Sequence, residues 1–334
     1  MQDVARRAGV SVKTVSNVVN AYPYVRESTR ARVLAAIAEL DYQVNVAARN
    51  LRTGRTGMIA LALPELGLPY FAELADAIIA AAEARGVTVL IELTGGRRER
   101  ELEVLAGTRR HQTDGLIFSP LGLAPGDEHL LEVDYPIVVL GERLFSDAVD
   151  HVTMHNVEAA RAATQHLLDL GRRRIAVVGV HPGEELGTAA LRLDGYRQAL
   201  EAAGVAPDQR LLAPSWLWHR ATGAEAMARL LDGGVAIDGV FAMNDALALG
   251  ALHELQVRRV RVPEDVAVVG FDAIDESSFA NPSLSTVDPG REEIAVTAVR
   301  FLLERVAAKG ELPPRRFFAD FRVLERGTSV TGRR

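Results

Sequence analysis

The first twenty residues of the chain, Met1–Asn20, read MQDVARRAGVSVKTVSNVVN and predict a helix-turn-helix unit. Ala5, Gly9 and Val15 have the spacing that such a unit needs. A small residue lets two helices approach closely, a glycine permits the tight turn, and a branched apolar residue packs the second helix back. The spacing therefore predicts helices over residues 2–8 and 12–19.

The second helix of this unit carries side chains that can read DNA. Ser11 precedes the helix and can cap it by accepting from the backbone N–H of Lys13 or Thr14. Short or polar side chains of the kind that reach base edges in a major groove stand at the start of the helix and along it; they are Ser11, Val12, Lys13, Thr14, Ser16 and Asn17. The alternative is an ordinary αα-hairpin that binds no nucleic acid.

Charge is distributed unevenly along the chain. Residues 1–55 contain nine Arg or Lys and four Asp or Glu, a net charge of +5, whereas the whole chain carries −6, so the remainder carries −11. A basic head on an acidic body is typical of a DNA-binding module attached to a domain with another task.

Composition narrows the class of protein further. At 334 residues the chain is too long for one simple core, and 48% of its residues are hydrophobic, which predicts a globular protein of two or three domains. No apolar run reaches the roughly 18 residues of a membrane-spanning helix. No signal segment opens the chain, so we expect a cytoplasmic protein with no membrane partner. The lack of cysteine excludes disulfides, thiolate zinc sites and a cysteine nucleophile.

Strands alternate with helices from Met58 onward. A third helix near Glu27–Leu40, with an apolar stripe of Val33, Leu34, Ile37 and Leu40, precedes this region. The predicted strands are Met58–Leu63, Val87–Leu93, Gly115–Phe118, Ile137–Leu140, Ile175–Val180, Gly239–Ala242 and Val266–Gly270. The alternation predicts parallel sheets with right-handed crossovers, which suit either two doubly wound lobes or one barrel.

Several residues that follow these strands are glycine or polar, at the carboxyl ends where such sheets bind ligands: Ser119, Gly141, Gly179, Asn244 and Asp272. Glu142 and Arg143 follow the strand Ile137–Leu140, and they either line the same site or pair with each other. We find no nucleophile elbow, no zinc-protease motif and no phosphate-binding loop, so the sequence predicts no enzyme activity, no cofactor and no metal site.

Short motifs spread over the whole chain carry a family resemblance. They are Asp3-Val4-Ala5, Ala8-Gly9-Val10-Ser11, Thr14-Val15-Ser16, Arg49-Asn50-Leu51, Pro69-Tyr70-Phe71, Asp114-Gly115-Leu116-Ile117, Gly195-Tyr196, Asn244-Asp245 and Val269-Gly270-Phe271-Asp272. In these motifs and their order the chain resembles the LacI/GalR (lactose-repressor) family of bacterial transcription regulators.

The resemblance implies an α/β architecture with an all-α head. A helix-turn-helix DNA-binding domain is expected at 1–44 and a hinge helix with its linker at 45–57. An effector-binding domain follows at 58–334, with a two-lobed, periplasmic-binding-protein-like fold and doubly wound parallel sheets. Lobe one is expected at about 58–155 and 286–314, and lobe two at about 156–285 and 315–328.

For DNA binding, the resemblance implies that Val12, Lys13 and Asn17 contact bases in the major groove. Lysine suits guanine, asparagine suits adenine, and valine can contact a thymine methyl. The hinge helix is expected to sit in the minor groove, with Leu51 wedged between base pairs. The hinge residues implied to contact DNA are Asn45, Ala48, Arg49 and Leu51.

For the effector, the resemblance implies a pocket between the lobes. Arg192 and Asp272 would each hold two vicinal hydroxyls, and Asn244 would donate and accept toward a third. The pocket residues implied are Tyr70, Phe71, Ser119, Thr188, Arg192, Trp218, Asn244 and Asp272.

The resemblance implies that the chain is a repressor that binds a palindromic double-stranded operator as a homodimer or tetramer. It also implies that a small effector controls this binding, and a sugar is the favoured effector. A purine-type effector is an open alternative. Two other classes also stay open from sequence: a sugar-binding protein without DNA function and a sugar-processing enzyme.

Overall fold

The computed structural model describes residues 1–19, 22–42, 55–107, 112–308 and 312–330. The chain divides into two units, Met1–Thr56 and Gly57–Arg334. The hinge residues Asn45, Ala48, Arg49 and Leu51 lie outside the described ranges. No helix within those ranges combines the length and the apolar character needed to cross a membrane.

In its described residues the first unit forms a head of three helices, whose bounds lie within one residue of those predicted from local signals. It contains α1 (Gln2–Ala8), α2 (Val12–Val19) and α3 (Glu27–Glu39). Gly9 ends α1 with φ of 63°, in the left-handed region that glycine adopts most readily. An ion pair of 2.7 Å between Arg7 and Glu39 joins α1 to the end of α3.

The apolar stripe predicted on α3 is partly wrong. Val33 and Ala36 are buried, whereas Leu34 and Leu40 are exposed. Ala36 is small enough to face the other two helices, and its burial turns the leucines toward solvent. The head core consists of Val4, Ala5, Ala8, Val15, Val18, Val33 and Ala36.

The second unit contains two separate six-stranded sheets, which decides between the two architectures in favour of doubly wound lobes. The first sheet contains β1 (Met58–Leu63), β2 (Thr88–Leu93), β3 (Leu116–Phe118), β4 (Ile137–Leu140), β5 (Asp150–Met154) and β11 (Arg316–Ala319). Its order is β11-β5-β4-β3-β1-β2, and all of its pairings are parallel. Its helices are α4 (Pro69–Glu83), α5 (Arg98–Leu105) and α11 (Arg291–Ala307).

Both faces of this sheet are buried, which explains the continuous apolar strands. Ile59, Leu61 and Leu63 pack in the large core that includes residues of α4 and α11. Ala60 and Ala62 point the other way, into the smaller cluster that includes Leu105 of α5.

The second sheet has the same plan. It contains β6 (Ile175–Val180), β7 (Leu212–Pro214), β8 (Gly239–Ala242), β9 (Ala267–Phe271), β10 (Ser285–Asp288) and β12 (Arg322–Leu324). The order is β12-β10-β9-β8-β6-β7, and β12 is antiparallel to β10. Its helices are α6 (Asn156–Asp169), α7 (Thr188–Ala202), α8 (Arg220–Asp232), α9 (Asp245–Val257) and the short α10 (Asp275–Phe279).

The strand register corrects two of the expected lobe boundaries. β10 pairs with β9 in the second sheet, although residues 286–288 were expected in lobe one. β11 pairs with β5 in the first sheet, although residues 316–319 were expected in lobe two. The chain therefore crosses between β10 and α11 and again between β11 and β12, a few residues later than predicted. The sequence of a short edge strand does not indicate which sheet the strand joins, because pairing depends on strands that are distant along the chain.

Candidate functional site

The second helix of the head presents an exposed N-terminal end. The backbone N–H of Thr14 donates to Ser11 Oγ over 3.1 Å, so the predicted cap is present. Ser11, Val12 and Lys13 are exposed, and Thr14, Ser16 and Asn17 are half-buried along the flank. Val15 and Val18 hold the opposite face of α2 in the head core. This geometry places a short row of side chains on the side of α2 that faces away from the head core, where they can approach the edge of a groove.

A cavity of about 210 Å³ lies between the two lobes of the second unit. All eight residues that the resemblance assigns to the effector pocket line it. The first lobe supplies Tyr70, Phe71 and Ser119, and the second lobe supplies Thr188, Arg192, Trp218, Asn244 and Asp272.

The fold explains why these side chains converge. Ser119 follows β3, Asn244 lies just beyond β8, and Asp272 follows β9. Each of these strands lies at or next to the point where its sheet reverses strand order, and the carboxyl ends of parallel strands there form a crevice. Tyr70 and Thr188 stand at the starts of α4 and α7, which face the same crevice.

Arg192 is the buried anchor of the cavity, and its side chain is 3% exposed. Its Nε donates to Asn156 Oδ1 over 2.8 Å, and its Nη1 donates to the carbonyl of Met243. The guanidinium carbon lies 3.4 Å from the centre of the Phe271 ring. These contacts fix the guanidinium plane while Nη1 stays 3.7 Å from a carboxylate oxygen of Asp272.

Asp272 is held in a strained backbone conformation with φ of 116°. Its N–H donates to the carbonyl of Val287 over 2.9 Å, and its own carbonyl accepts from Arg291 over 3.1 Å. Burial raises the pKa of the Asp272 carboxyl well above its ordinary value, and the Arg192 charge opposes that rise. Strain kept in place by neighbouring structure is typical of ligand-binding positions.

Asn244 has less hydrogen-bonding capacity for a ligand than the sequence suggested. Its Oδ1 accepts from the N–H of Leu247 over 2.8 Å and caps α9, while its Nδ2 donates to the carbonyl of Trp218 over 3.1 Å. Each of these two groups therefore has one hydrogen bond in place, which leaves a ligand one N–H of the amide nitrogen and one lone pair of the amide oxygen. Asn244 holds the helix start and the Trp218 loop in place.

Glu142 joins the two lobes across the cavity. One carboxylate oxygen accepts from the Thr153 hydroxyl over 2.5 Å, and the other accepts from the Thr188 hydroxyl over 2.8 Å. The Thr188 hydroxyl is thus engaged with the first lobe. Glu142 follows β4 closely, and this position after a strand is the sequence signal that marked it as a residue that could line the site.

Further polar pairs cross the cleft around the cavity. Arg143 Nη1 of the first lobe lies 3.0 Å from Glu184 Oε1 of the second lobe, and Glu65 Oε1 lies 3.2 Å from His219 Nε2. Glu73 accepts from the backbone N–H of residue 275 over 2.9 Å. These contacts describe lobes that are closed on one another.

One wall of the cavity is aromatic. Trp218 Nε1 donates to the carbonyl of Gly179 over 3.0 Å, which fixes the indole. The His181 ring lies 5.5 Å from the Trp218 ring and stacks on Trp216 at 5.0 Å with an interplanar angle of 19°. No local sequence signal marks His181 or Trp216 as cavity residues, because their contribution depends on where the loops after β6 and β7 meet.

The charges that line the cavity favour a neutral ligand rich in hydroxyl groups. Four carboxylates, those of Glu65, Glu142, Glu184 and Asp272, face two guanidinium groups, and both guanidinium groups already contact a carboxylate. Acceptors and donors set side by side on flat apolar walls can hold vicinal hydroxyls and the C–H face of a ring.

Two family models match this chain, one in each unit. Residues 1–45 match the family of bacterial regulatory proteins of the lacI type, and residues 164–329 match the periplasmic binding protein-like domain. The chain is 33% identical to the ribose operon repressor of Halalkalibacterium halodurans, over 92% of this chain and 91% of that one. It is 29% identical to the repressor PurR of Vibrio atlanticus, over 99% of this chain and 98% of that one.

Three solved structures share the fold. A LacI-family regulator from Sanguibacter keddieii is 53% identical with a TM-score of 0.77, and the match covers 82% of this chain and 98% of that one. The lac repressor dimer bound to operator and the anti-inducer ONPF is 26% identical with a TM-score of 0.83, over 98% of both chains. A LacI-family regulator from Enterococcus faecium with bound ribose is 25% identical with a TM-score of 0.71, over 83% of this chain and 100% of that one.

A helix-turn-helix head followed by a two-lobed ligand-binding domain defines a ligand-responsive transcription regulator. The chain belongs to the LacI family of bacterial regulatory proteins and is a DNA-binding, effector-binding transcriptional repressor.

Proposed function

We propose that the effector of this repressor is a neutral sugar and that its binding in the cleft controls operator affinity. The observation that carries the proposal is the buried Arg192–Asp272 pair, with 3.7 Å between the guanidinium nitrogen and the carboxylate oxygen. Adjacent hydroxyls of a sugar can accept from the guanidinium and donate to the carboxylate. Among the described residues, Arg192 is the only one whose side chain forms an ion pair with Asp272, and Asp272 lines the cavity, where a ligand can reach its oxygens.

The balance of charge supports a neutral effector over a sugar acid or a sugar phosphate. An anion would meet more carboxylates than guanidinium groups around the cavity. Arg143 is engaged with Glu184, and Arg192 is engaged with Asn156 and Asp272. A buried anion without a free cationic partner pays a large desolvation cost.

A purine is the second candidate, because relatives named PurR match almost the whole chain. Flat walls such as Trp218 would suit a purine as well as a sugar. The ribose operon repressor and the ribose-bound regulator of Enterococcus faecium support the sugar. The two candidates differ in the groups they offer, since a purine has no vicinal hydroxyls for Arg192 and Asp272.

On the DNA side, we propose that Val12, Lys13 and Asn17 contact bases of a palindromic operator. Two heads on one palindrome double a modest half-site specificity, so the working form is a homodimer in the cytoplasm, where operator DNA is found. The hinge segment, with Asn45, Ala48, Arg49 and Leu51, would add minor-groove contacts. An ordered rotation of one lobe against the other would link effector and operator binding, and the linkage is reciprocal.

The test is selection of random duplex DNA by the purified full-length protein, followed by titration of the selected operator complex with sugars and purines. Selection at about 150 mM salt suppresses nonspecific phosphate contacts. We expect a palindrome and a neutral sugar that changes its affinity. A response to purines and to no sugar would replace the proposed effector, and selection of no sequence with or without candidate effectors would contradict operator recognition.

A further inference from the structure

The mouth of the cavity is apolar, in contrast to its polar interior. Trp216 and Leu217 are 65% and 64% exposed, and both line the cavity from the second lobe. Leu121 lines it from the first lobe and is 42% exposed. Two lips of large apolar side chains thus flank the entrance, one on each lobe. Exposed apolar surface that continues a ligand cavity marks a surface built for contact.

A row of planar groups leads from the buried end of the cavity to this mouth. The Arg192 guanidinium lies 5.6 Å from the Trp218 ring, which lies 5.5 Å from the His181 ring, which stacks on Trp216 at 5.0 Å. His181 is fixed by Glu184 over 2.5 Å, so the row has a defined orientation. Exposure rises along it from the nearly inaccessible Arg192 to the mostly exposed Trp216.

The outer part of the row offers a flat surface. Among the described residues, the Glu184 carboxylate beside it is paired with the Arg143 guanidinium and also contacts the His181 ring. His181 stacks on one face of the Trp216 indole, so the other face is the one that a sugar ring can occupy. A ring seated there would gain from stacking of its C–H face and from burial of apolar surface. A ligand confined to the Arg192–Asp272 end would leave both lips in water.

We infer that the effector is a glycoside of at least two sugar rings, with the outer ring stacked on Trp216 between the two apolar lips. This inference rests on the proposed sugar-responsive function. The inner ring takes the polar contacts to Arg192 and Asp272, and Trp216 is the residue that distinguishes a disaccharide from its component monosaccharides.

The chain offers a direct optical test, because its only two tryptophans are Trp216 and Trp218. Fluorescence of the full-length protein is titrated with cellobiose, maltose, lactose, melibiose and sucrose, with their component monosaccharides and with hypoxanthine. We expect at least one disaccharide to bind about tenfold or more tightly than either of its components, which corresponds to about 1.4 kcal/mol.

The deciding variant is Trp216→Ala, in which Trp218 remains as the reporter. The ratio of monosaccharide to disaccharide dissociation constants is expected to fall from about tenfold to near unity. Phe279→Ala is the matched control, because Phe279 is an exposed aromatic residue on α10 that does not line the cavity. It should keep the wild-type ratio.

Three results would overturn the inference: no disaccharide that binds more tightly than its components, tighter binding of hypoxanthine than of every sugar, or an unchanged ratio of the two dissociation constants in Trp216→Ala. These titrations contain no DNA. A protein that binds a disaccharide but leaves operator affinity unchanged would contradict the proposed control of DNA binding and leave the outer subsite standing.

Discussion

Replacement of Asp272 by asparagine tests the centre of the proposed effector site. The Asp272 side chain is buried beside Arg192, and the variant keeps its shape while it removes the charge and one acceptor oxygen. The asparagine amide would place an N–H where the carboxylate has an acceptor oxygen, so a ligand hydroxyl that donates to Asp272 would lose its hydrogen bond there. We therefore expect Asp272→Asn to weaken effector binding and to leave operator binding in the absence of effector close to that of the wild type.

The magnitude follows from the hydrogen bonds that a carboxylate can accept. Each hydrogen bond to a charged group contributes about 1.5–3 kcal/mol, and the amide oxygen retains a neutral hydrogen bond of about 1 kcal/mol. For two hydroxyls held by Asp272, the net loss is about 2–5 kcal/mol. At about 1.4 kcal/mol per tenfold change, the dissociation constant rises roughly 30- to 4,000-fold.

The assay is a fluorescence titration with the sugar that changes wild-type operator affinity, paired with an operator dose-response curve. Asp275→Asn is the matched control, since it makes the same change of charge at an exposed position three residues further along the chain. An unchanged dissociation constant in Asp272→Asn would refute the reasoning. An equal loss in Asp275→Asn would assign the effect to the general electrostatic field instead of to contact.

Three further predictions concern the support of this site and the hinge. Burial raises the pKa of Asp245 from 3.8 to about 7, although Thr286 and Ser277 donate hydrogen bonds to its carboxylate over 2.6 and 2.7 Å. The folded state therefore holds the Asp245 proton more tightly than the unfolded chain does. The stability that this proton contributes is greatest below pH 3.8 and is lost as the pH rises through 7. Urea denaturation should therefore show the wild type losing about 2 kcal/mol more than Asp245→Asn between about pH 5.5 and 8, and parallel pH profiles would contradict this. A Cβ at Gly270 would lie 2.2 Å from Asp245 Oδ1, so Gly270→Ala should lower the free energy of unfolding by about 1–3 kcal/mol. An unchanged urea midpoint would contradict this prediction and would show that Asp245 moves to make room for the methyl group. Leu51→Ala should weaken binding to the palindromic operator more than binding to random duplex in mobility-shift titrations, and an equal loss on both would rule out the wedge.

The head could be read from its sequence because its signals are local. The Ser11 cap spans three residues, and the Gly9 turn needs only the residue that ends α1. Helix α3 was less predictable: an apolar stripe indicates that one face is buried, but packing against α1 and α2 decides which side that is. Ala36 therefore packs inside where Leu34 was expected.

The parallel cores were also predictable, whereas the edges of the sheets were not. Long apolar strands such as β1 and β6 are buried on both faces and leave a clear pattern. β7 and β12 have three residues each, too few to show a period. Residues Arg291–Ala307 form a long helix that the alternating pattern did not single out, because its exposed face is heavily charged.

The cavity residues were accessible to sequence reasoning because they follow strands or begin helices. Ser119, Asn244 and Asp272 sit at chain positions that any doubly wound sheet directs toward its ligand crevice. The pairs that join the lobes were not accessible in this way. Glu142 meets Thr188, and Arg143 meets Glu184, only because two separately folded sheets face one another.

These pairs limit how an effector can act on the repressor. Glu142 with Thr188 and Arg143 with Glu184 favour closure through protein contacts alone, so they contribute equally whatever the ligand is. A ligand shifts the balance between two conformations only by the difference in its affinity for them. We therefore expect an effector that favours closure to contact both lobes at once, with Tyr70 or Ser119 on one side and Arg192 on the other. A compound that reaches the second lobe alone can bind tightly and still leave the operator affinity unchanged.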